Sequence, residues 1–419
     1  MSEVDTIITS NSNISTSKIR RSPVWLYYLI QMMQSFGQNL SYQYFPIYVR
    51  KLGATESQMG LMTATQNVTS TFFQPFWGRA SDRLGRKRFL ILGFFIAGVT
   101  AILLGFSRTP TDAIIIIAIN GLGISIVAPS WAGSIADYTE SGKRAGFIGR
   151  MNSVAYSYVA VMFLLVSLIS FTSTIEELVQ FRIIVVLSGI NILLAMMFAF
   201  FLIDLRSQKT KEFQMGLFEA LKDKMFVKFL SVMFVWWLTM SFAWSFFPIV
   251  MNDVVHATAW QIALLTFSAT IVQAYSSNKW GNITDKIGPK KAAAIGLSTF
   301  MFIPLGFALA KEWWHLFFPQ LISGFGIGGG FTALQAYLLD IAGEEKAGYY
   351  SGTYQILWGI ITFFGSLSGG IVLQYYKAQV GLIQAVTTLL LIIAGLRLLA
   401  SLLFLKLPDS RERTSNPLK

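Results

Sequence analysis

The sequence predicts an all-α integral membrane protein of twelve transmembrane helices, arranged as two six-helix bundles. Three observations predict this fold: an apolar composition, twelve long apolar segments and a repeat that relates the two halves. Of the 419 residues, 54% are hydrophobic and only 13% are charged, whereas about a quarter of a soluble domain is charged. Too little polar surface remains to cover a water-soluble body, so most of the chain is expected to face lipid.

Each apolar segment is long enough to cross the hydrocarbon core, which takes roughly 20 residues of helix. The six spans of the first half are predicted near Val24–Val49, Ser57–Trp77, Phe89–Phe106, Ala113–Ala136, Phe147–Phe171 and Ile183–Ile203. Those of the second half are predicted near Phe226–Met251, Ala259–Ser277, Ala292–Ala310, Trp314–Leu339, Gly348–Leu373 and Leu382–Leu405.

The spans divide the chain into five predicted regions. They are a disordered cytoplasmic tail at 1–23, the first bundle at 24–203, a charged cytoplasmic linker at 204–225, the second bundle at 226–405 and a cytoplasmic tail at 406–419. The first region is rich in Ser, Asn and Thr and has no apolar core, so it does not read as a signal peptide.

The distribution of lysine and arginine predicts the orientation, because positively charged loops stay on the cytoplasmic side. With the N-terminus inside, cytoplasmic segments carry 26 of the 33 Lys and Arg residues and outer loops carry six. The net charge of +12 therefore reflects membrane topology and not nucleic-acid binding. We expect a protein of the cell (inner) membrane with both termini cytoplasmic.

The two halves match at an offset of about 203 residues. Four pairs of segments carry the match: Phe45-Pro46-Ile47 with Phe247-Pro248-Ile249, Gly78–Arg88 with Gly281–Lys291, Asn120–Ile124 with Ser323–Ile327, and Asp137 with Asp340. Each half has an even number of spans, so both copies point the same way across the membrane. Repeats of this kind place the substrate site near the midplane, between two halves that rock against each other.

The residue types exclude several kinds of chemistry. The chain has no cysteine and two histidines, so disulfides, thiol catalysis and Cys-ligated metals are not available. We expect no metal cluster, nucleophile–base pair or paired acid within the spans, and no cofactor. This argues against an integral membrane enzyme.

The loop after the second helix carries a motif. Gly78-x-x-x-Asp82-Arg83-x-Gly85-Arg86-Lys87-Arg88 resembles the signature loop of the major facilitator superfamily, and a degenerate copy follows the eighth helix with Asp285 in place of Asp82. Together with the span count and the duplication, the resemblance covers residues 24–405. It implies the fold of that superfamily, and a monomer in the lipid bilayer that transports a small molecule.

The resemblance also implies a gate. Glycines 78 and 85 permit close helix packing and a tight turn. Asp82 is expected at the N-terminus of the eleventh helix near Gly348, where free N–H groups favour a carboxylate. Arg86 is expected to reach Asp137, with Arg150 nearby. Arg83 and the second-half counterparts Asp285 and Asp340 complete the predicted gate. The alternative is that the basic residues of the loop, including Arg83, only anchor the chain on the cytoplasmic side.

The sequence departs from the drug–proton antiporters of the superfamily. The arginine that they carry in the fourth helix falls near Ile117, and the fifth helix lacks their G-x-x-x-G-P pattern. Gly365-x-x-x-Gly369-Gly370 in the eleventh helix fits small-residue packing equally well. Pro289 replaces the motif arginine in the second copy, so that copy is not expected to form the same salt bridges.

Uncharged polar and aromatic residues are the candidate substrate contacts, since amides are costly to expose to lipid. The first helix offers one polar face made of Gln31, Gln34, Gln38 and Tyr42, next to Ser35. The seventh offers Trp237, Ser241 and Trp244, and the eleventh Tyr354, Gln355 and Trp358. For the second helix, with Thr63, Asn67, Ser70 and Gln74, substrate contact and helix–helix hydrogen bonding are both open.

The leading hypothesis is alternating-access transport of a small neutral polar or amphipathic organic molecule. A proton-coupled multidrug antiporter is the alternative, but it needs a buried carboxylate, and none falls within the predicted spans. We therefore expect a facilitator, or coupling to a titratable group on the substrate. Arg397 is the one charge deep in a span, and we interpret it as structural and within snorkelling reach of the cytoplasmic surface. A non-transporting receptor would be expected to lose the gate residues.

Overall fold

A computed structural model describes residues 22–139, 144–204 and 219–409, and it is helical almost throughout. The predicted tails before residue 22 and after residue 409, and linker residues 205–218, lie outside the described residues. Each of the twelve predicted spans is occupied by a helix.

The helices are numbered here by span. The first half contains α1 (Val24–Lys51), α2a (Glu56–Thr71), α2b (Gln74–Leu84), α3 (Arg86–Leu104), α4 (Pro110–Tyr138), α5 (Arg144–Thr172) and α6 (Glu177–Ala199). The second half begins with α7a (Lys224–Phe242), α7b (Phe246–Ile249), a π-helical turn (Val250–Val254), α8 (Ala259–Ile287), α9a (Pro289–Ser298) and α9b (Phe302–Leu309). It ends with α10 and α11, which share the helical stretch Phe317–Val380 on either side of a break at Gly343, and with α12 (Leu382–Leu402).

Three spans are interrupted just before a proline. Proline has no N–H, so the carbonyl four residues earlier loses its helical donor. The interruptions precede Pro75 in α2, Pro248 in α7 and Pro304 in α9. The apolar runs of the sequence predict continuous helices at all three spans, so these interruptions are a correction to that prediction.

Eight of the described helices are long and apolar enough to cross a membrane, and they belong to spans 3 to 7, 9, 11 and 12. The spans α1, α2, α8 and α10 are more polar and richer in Gln, Ser, Thr and Gly. Polar helices need neighbours that shield them from lipid. Accordingly α1 lies inside the bundle, in contact with α2, α4, α5, α6 and α7b.

The repeat is visible in the backbone. Gly85 and Gly288, 203 positions apart, have φ +105° and +89° and each begins the third helix of its half. A left-handed conformation at both places explains why each loop carries glycine there. Gly343 and Gly381 mark the other two sharp bends between second-half helices.

The hydrophobic core is divided unequally between the two ends of the molecule. We call the end beside the Gly78–Arg88 loop the motif end, and the other the Arg50 end. At the motif end the first half has a core of its own, which includes Tyr27, Leu90 and Met151. A larger core runs through the second half and continues into the first half at the Arg50 end, through residues such as Tyr48. Among the described residues, the halves thus share a core mainly at the Arg50 end.

Candidate functional site

The motif loop is a tight turn between α2b and α3. At Gly85, a Cβ atom would lie 2.6 Å from a carboxylate oxygen of Asp204, and the backbone φ is unfavourable for any other residue. The predicted turn is therefore present. At Gly78 a Cβ would lie 3.5 Å from that of Pro129, an ordinary contact, so helix packing there does not depend on glycine.

Arg86 connects three parts of the first half. Its Nε and Nη2 donate to Asp82 at 3.0 and 2.9 Å, and its Nη1 pairs with Asp137 at 2.8 Å. Nη1 also donates to the carbonyl of Gly133 on α4. The Arg86–Asp137 pair implied by the family resemblance is thus formed, and both side chains are more than four-fifths buried.

Asp82 does not make its expected contact with the start of α11 within the described structure. Its carboxylate pairs with Arg86 and is half-exposed. A Cβ on Gly348 would meet no other part of the chain within 4 Å. The motif end of α11 instead contacts its own half, where the Tyr350 hydroxyl donates to Asp223 at 2.8 Å. The other predicted gate residues also lie at the motif end; Arg83, Arg150 and Asp285 are exposed and Asp340 is half-buried.

The Arg50 end carries an ion network that sequence reasoning missed. Arg50 on α1 donates to Asp253 of the other half at 2.8 Å and to Glu56 at 2.9 Å. Glu56 also accepts from Lys377 on α11 at 2.8 Å, and its side chain is only 4% exposed. The network therefore joins the two halves twice. Opposite charges 203 residues apart, at the ends of α1 and α7, were the signal in the sequence.

Glycines and hydrogen bonds close the Arg50 end further. A Cβ on Gly60 of α2a would lie 2.9 Å from the Cα of Gly370 on α11, so only glycines permit this approach. The Tyr44 hydroxyl donates to the Ala259 carbonyl at 2.7 Å, across the halves. The ion pairs and the Gly60–Gly370 contact that join the halves thus lie at the Arg50 end of the described structure.

The polar face of α1, made of Gln31, Gln34, Gln38 and Tyr42, makes different contacts along its length. The Gln31 amide accepts from Trp131 at 2.7 Å and donates to Asn152 at 3.2 Å, so it joins α1 to α4 and α5. Gln34 is 8% exposed, and its amide oxygen has no partner among the described residues. Gln38 is half-buried and Tyr42 is 67% exposed. Because α1 is surrounded by other helices, these last two side chains face the opening between the halves.

The polar residues of α2 bond mainly to their own helix. Thr63, Ser70 and Gln74 donate to carbonyls three or four residues earlier. Asn67 differs, since its amide nitrogen is buried without a partner among the described residues. Of these four polar residues, Asn67 is therefore the one with a buried, unused donor.

Aromatic side chains line the second half at mid-depth. Trp237 donates to the Tyr354 hydroxyl at 2.7 Å and stacks on Phe331, with ring centroids 5.6 Å apart. Trp358 stands edge-on to Trp237 at 5.4 Å, and its indole N–H has no partner among the described residues. Trp244 approaches both tryptophans. Phe331 on α10 had no distinguishing signal in the sequence.

Two other predicted substrate contacts, Ser241 and Gln355, do not belong to this aromatic group. Ser241 is fully buried, donates to the Trp237 carbonyl one turn earlier and packs against Gly365 of α11. It serves helix packing, as Gly365, Gly369 and Gly370 do. Gln355 is half-buried beside Tyr354.

Arg397 does not snorkel, and that expectation was wrong. Its side chain is fully buried. Side chains lean towards the N-terminus of their helix, which for α12 lies away from the surface that snorkelling would reach. The Nη1 and Nη2 groups donate to the carbonyls of Phe300 and Met240 at 3.2 and 3.0 Å, midway along α9 and α7.

Both carbonyls are free because their helices are interrupted. Phe300 would be bonded by residue 304, which is a proline without an N–H. Met240 would be bonded by Trp244, whose N–H bonds to Ser241 instead. Arg397 thus replaces two missing helical hydrogen bonds, which agrees with the structural role that we expected for it.

A family model described as Major Facilitator Superfamily matches residues 27–271 and 229–419. The chain belongs to the major facilitator superfamily. One curated superfamily relative, the multidrug resistance protein MdtG of Proteus mirabilis (strain HI4320), is 23% identical over 358 residues, which are 81% of this chain and 86% of MdtG. The quinolone resistance protein NorA of Staphylococcus aureus is 28% identical over 112 residues, which are 27% of this chain and 29% of NorA.

Solved structures of superfamily transporters share the fold. The nucleoside transporter NupG superimposes with a TM-score of 0.73 at 13% identity, covering 92% of this chain and 98% of NupG. A bacterial homologue of the human lysosomal transporter Spinster, in its inward-facing and unoccupied conformation, gives 0.66 at 16% identity, covering 91% and 97%. At such identities the likeness establishes the two-bundle architecture of the superfamily.

Proposed function

We propose that this chain is a secondary transporter that moves a small neutral polar or amphipathic organic molecule by alternating access. The substrate would bind between α1 and the aromatic group of Trp237, Trp244, Trp358 and Tyr354. Buried polar atoms without partners there, on Gln34, Asn67 and Trp358, support a ligand that offers both a hydrogen-bonding group and an aromatic or apolar surface.

The observation that carries the proposal is the group of ion pairs and close contacts that joins the halves at the Arg50 end. Two ion pairs and the contact of Gly60 with Gly370 cross between the halves at this end. A transporter that alternates must have a second state in which these contacts exchange. The Asp82 carboxylate and the open start of α11 are the groups that would meet in that state.

Orientation and assembly complete the proposal. The Lys and Arg count supports a motif end that faces the cytoplasm, with both termini inside and the protein acting as a monomer in the inner membrane. The structure would then be inward-open. We infer no enzymatic activity and no nucleic-acid partner.

Proton-coupled multidrug efflux is the second candidate, and the similarity to the multidrug resistance protein MdtG favours the multidrug part of it. The described spans hold no carboxylate at mid-depth, because the described acids lie near the ends of the helices. Glu56 is buried, but it lies within the ion network at the Arg50 end. We therefore propose a facilitator, or coupling to a titratable group on the substrate itself.

Spin labels test alternating access. The absence of native cysteine allows label pairs at Arg150→Cys/Asp285→Cys on the motif end and Thr172→Cys/Lys311→Cys on the Arg50 end. Electron–electron resonance in nanodiscs should show a second population in which the first distance shortens and the second lengthens. Arg108→Cys/Thr174→Cys, within one half, is the control and should stay unchanged. A single fixed distance for both test pairs, with every transported class tried, would contradict the proposal.

Transport itself needs a solute panel. Proteoliposomes should accumulate at least one compound from three classes, namely nucleosides, neutral aromatic compounds and cationic aromatic dyes, faster than protein-free liposomes. Trp358→Ala should reduce that flux while the labelled distances keep both populations. Flux in the Trp358→Ala variant equal to that of the unmodified protein would place the substrate elsewhere.

A further inference from the structure

The ion network at the Arg50 end contains two charges from each half. Arg50 and Glu56 belong to the first half, and Asp253 and Lys377 belong to the second. Each half therefore contributes one cation and one anion. The four side chains are largely shielded from water, from 4% exposed at Glu56 to 39% at Lys377. If the halves separate, each half retains a matched pair of charges.

The two charges of the first half are already paired with each other. Arg50 Nη2 lies 2.9 Å from Glu56 Oε1, and Arg50 also donates to the Ala54 carbonyl in the turn between α1 and α2a. These contacts lie within one half, so they do not depend on the other. The same Glu56 oxygen accepts from Lys377 at 2.8 Å. When the halves separate, Glu56 loses Lys377 and retains Arg50.

The two charges of the second half are bound to the first half and not to each other. Asp253 Oδ2 accepts from Arg50 Nε at 2.8 Å, and Asp253 Oδ1 accepts from Asn252 at 2.7 Å. Lys377 binds Glu56. Asp253 and Lys377 still lie close together, because Arg50 and Glu56, to which they are bound, are in direct contact. Separation of the halves frees Asp253 Oδ2 and the Lys377 ammonium at the same time.

We propose that the network opens by an exchange of partners. In the state open at the Arg50 end, the cross-half pairs Arg50–Asp253 and Glu56–Lys377 are replaced by Arg50–Glu56 and Asp253–Lys377, one pair in each half. A shielded charge that loses its partner is strongly destabilising, and exchange avoids that cost. The long, flexible stem of Lys377 suits it to bind Glu56 in one state and Asp253 in the other. The inference rests on the proposed alternating access and describes how the Arg50 end opens.

Label distances in nanodiscs test the exchange, with Thr172→Cys/Lys311→Cys as the reporter. Asp253→Asn and Lys377→Gln each remove one cross-half pair and preserve side-chain size, so each should raise the ratio of long to short distances several-fold. Each also removes the exchanged pair from the open state, but the double variant loses that pair only once. Its ratio should therefore exceed the product of the two single fold-changes by about two- to threefold, the effect of a water-exposed ion pair.

Gln374→Ala is the matched control. Gln374 lies one turn before Lys377 on α11 and accepts from the Ser57 backbone N–H of the other half at 3.0 Å, so it joins the halves without a charge. Combined with Asp253→Asn, it should change the ratio by the product of the single effects.

The outcomes separate this inference from the proposed function. A ratio for Asp253→Asn with Lys377→Gln that equals the product of the single effects, or falls below it, would overturn the exchange and leave alternating access intact. A single fixed distance in the unmodified chain would overturn alternating access, and the exchange with it.

Reversal of one cross-half pair provides a second test. Arg50→Asp combined with Asp253→Arg keeps a pair between the halves, but it leaves two anions in the first half and two cations in the second. Neither half then has a partner for exchange, so the fraction with the long distance should fall by about fivefold or more. High salt should partly restore it, because ions screen the like charges once water reaches them. An unchanged or larger fraction at low salt would contradict the exchange.

Discussion

At the scale of single residues, Arg86 is the most connected charged group of the motif end. It bonds to Asp82 one turn before it, to Asp137 at the end of α4 and to the Gly133 carbonyl. Its position depends on Gly85, whose left-handed backbone turns the chain between α2b and α3. One arginine thus links the loop to the end of α4. Lysine could not reproduce this geometry, because it lacks the planar fork of donors.

The Arg86–Asp137 pair is tested by a double-mutant cycle. Arg86→Ala and Asp137→Ala should each lower the free energy of unfolding, and the double variant should lose less than the sum by about 1 kcal/mol. The pair is largely shielded from water, so it should exceed an exposed pair. Unfolding in detergent micelles, followed by circular dichroism, is the measurement.

The control for this cycle is Arg86→Ala combined with Asp340→Ala, which lies in the other half. Those two effects should add. Additivity of Arg86→Ala and Asp137→Ala as well would mean that the ion pair contributes no coupling energy.

In the transport assay, Asp82→Asn should slow flux more than it weakens binding, because it affects the closure of the motif end and not the substrate site.

At the scale of helices, two devices shape the bundle: proline interruptions and glycine contacts. Interruptions in α2, α7 and α9 release carbonyls at mid-depth, and Arg397 bonds to two of them. Glycines allow α2a and α11 to approach to backbone contact at Gly60 and Gly370. Without water or a strong hydrophobic drive between helices in lipid, such close packing contributes much of their association.

Gly60→Leu tests the helix contact. Its Cβ would lie 2.7 Å from the carbonyl oxygen of Ser366, a backbone atom that cannot move aside easily. We expect a loss of about 1–3 kcal/mol in stability, or a shift towards the state that is open at the Arg50 end. Thermal unfolding in micelles and the Thr172→Cys/Lys311→Cys label distance report the two effects.

Gly395→Leu is the matched control. Gly395 also lies within a helix, but a Cβ there meets nothing within 4 Å, and leucine has the better helix propensity. That variant should be at least as stable as the unmodified chain. If Gly60→Leu behaves in the same way, α2a and α11 do not depend on the glycine contact.

At the scale of the whole molecule, the two halves are held together at one end by charges that pair across the interface. Arg50 and Glu56 of the first half pair with Asp253 and Lys377 of the second half, respectively, and Arg50 also pairs with Glu56. Removing one member of a buried pair leaves the other charge uncompensated. The network is therefore a latch whose loss favours opening of the Arg50 end.

Asp253→Asn tests the latch. It should increase the fraction of molecules with the long Thr172→Cys/Lys311→Cys distance several-fold, because only the state closed at the Arg50 end uses the ion pair. Glu176→Gln, an exposed carboxylate at the same end, should change nothing. Identical distance distributions for the two variants would show that the ion pair does not hold the halves.

Membrane orientation is tested with single cysteines. A membrane-impermeant maleimide should label Lys311→Cys in intact cells and Lys222→Cys only after permeabilisation. Lys222 is well suited, since its side chain is 82% exposed. Labelling of Lys222→Cys in intact cells, with protection of Lys311→Cys, would reverse the proposed orientation.

Local features were predictable from the sequence by itself. The number of spans follows from the runs of apolar residues. In lipid, each crossing segment must form a helix that hydrogen-bonds its own backbone N–H and C=O groups. Duplication follows from matches 203 residues apart, and the turn at Gly85 from a glycine that no other residue could replace. Each of these properties depends on residues that are close in the chain or on a pattern that recurs along it.

Tertiary structure decided which polar groups meet. Gln31 and Gln34 lie one turn apart on the same helix, yet one amide bonds to α4 and α5 and the other retains an unpartnered oxygen. Arg50 meets Asp253 across the two halves, and Arg397 reaches carbonyls on α7 and α9. These contacts depend on the rotation and depth of whole helices. The periodicity of lipid-facing residues fixes the rotation and depth of a helix only coarsely. The packing of its neighbouring helices determines both in detail.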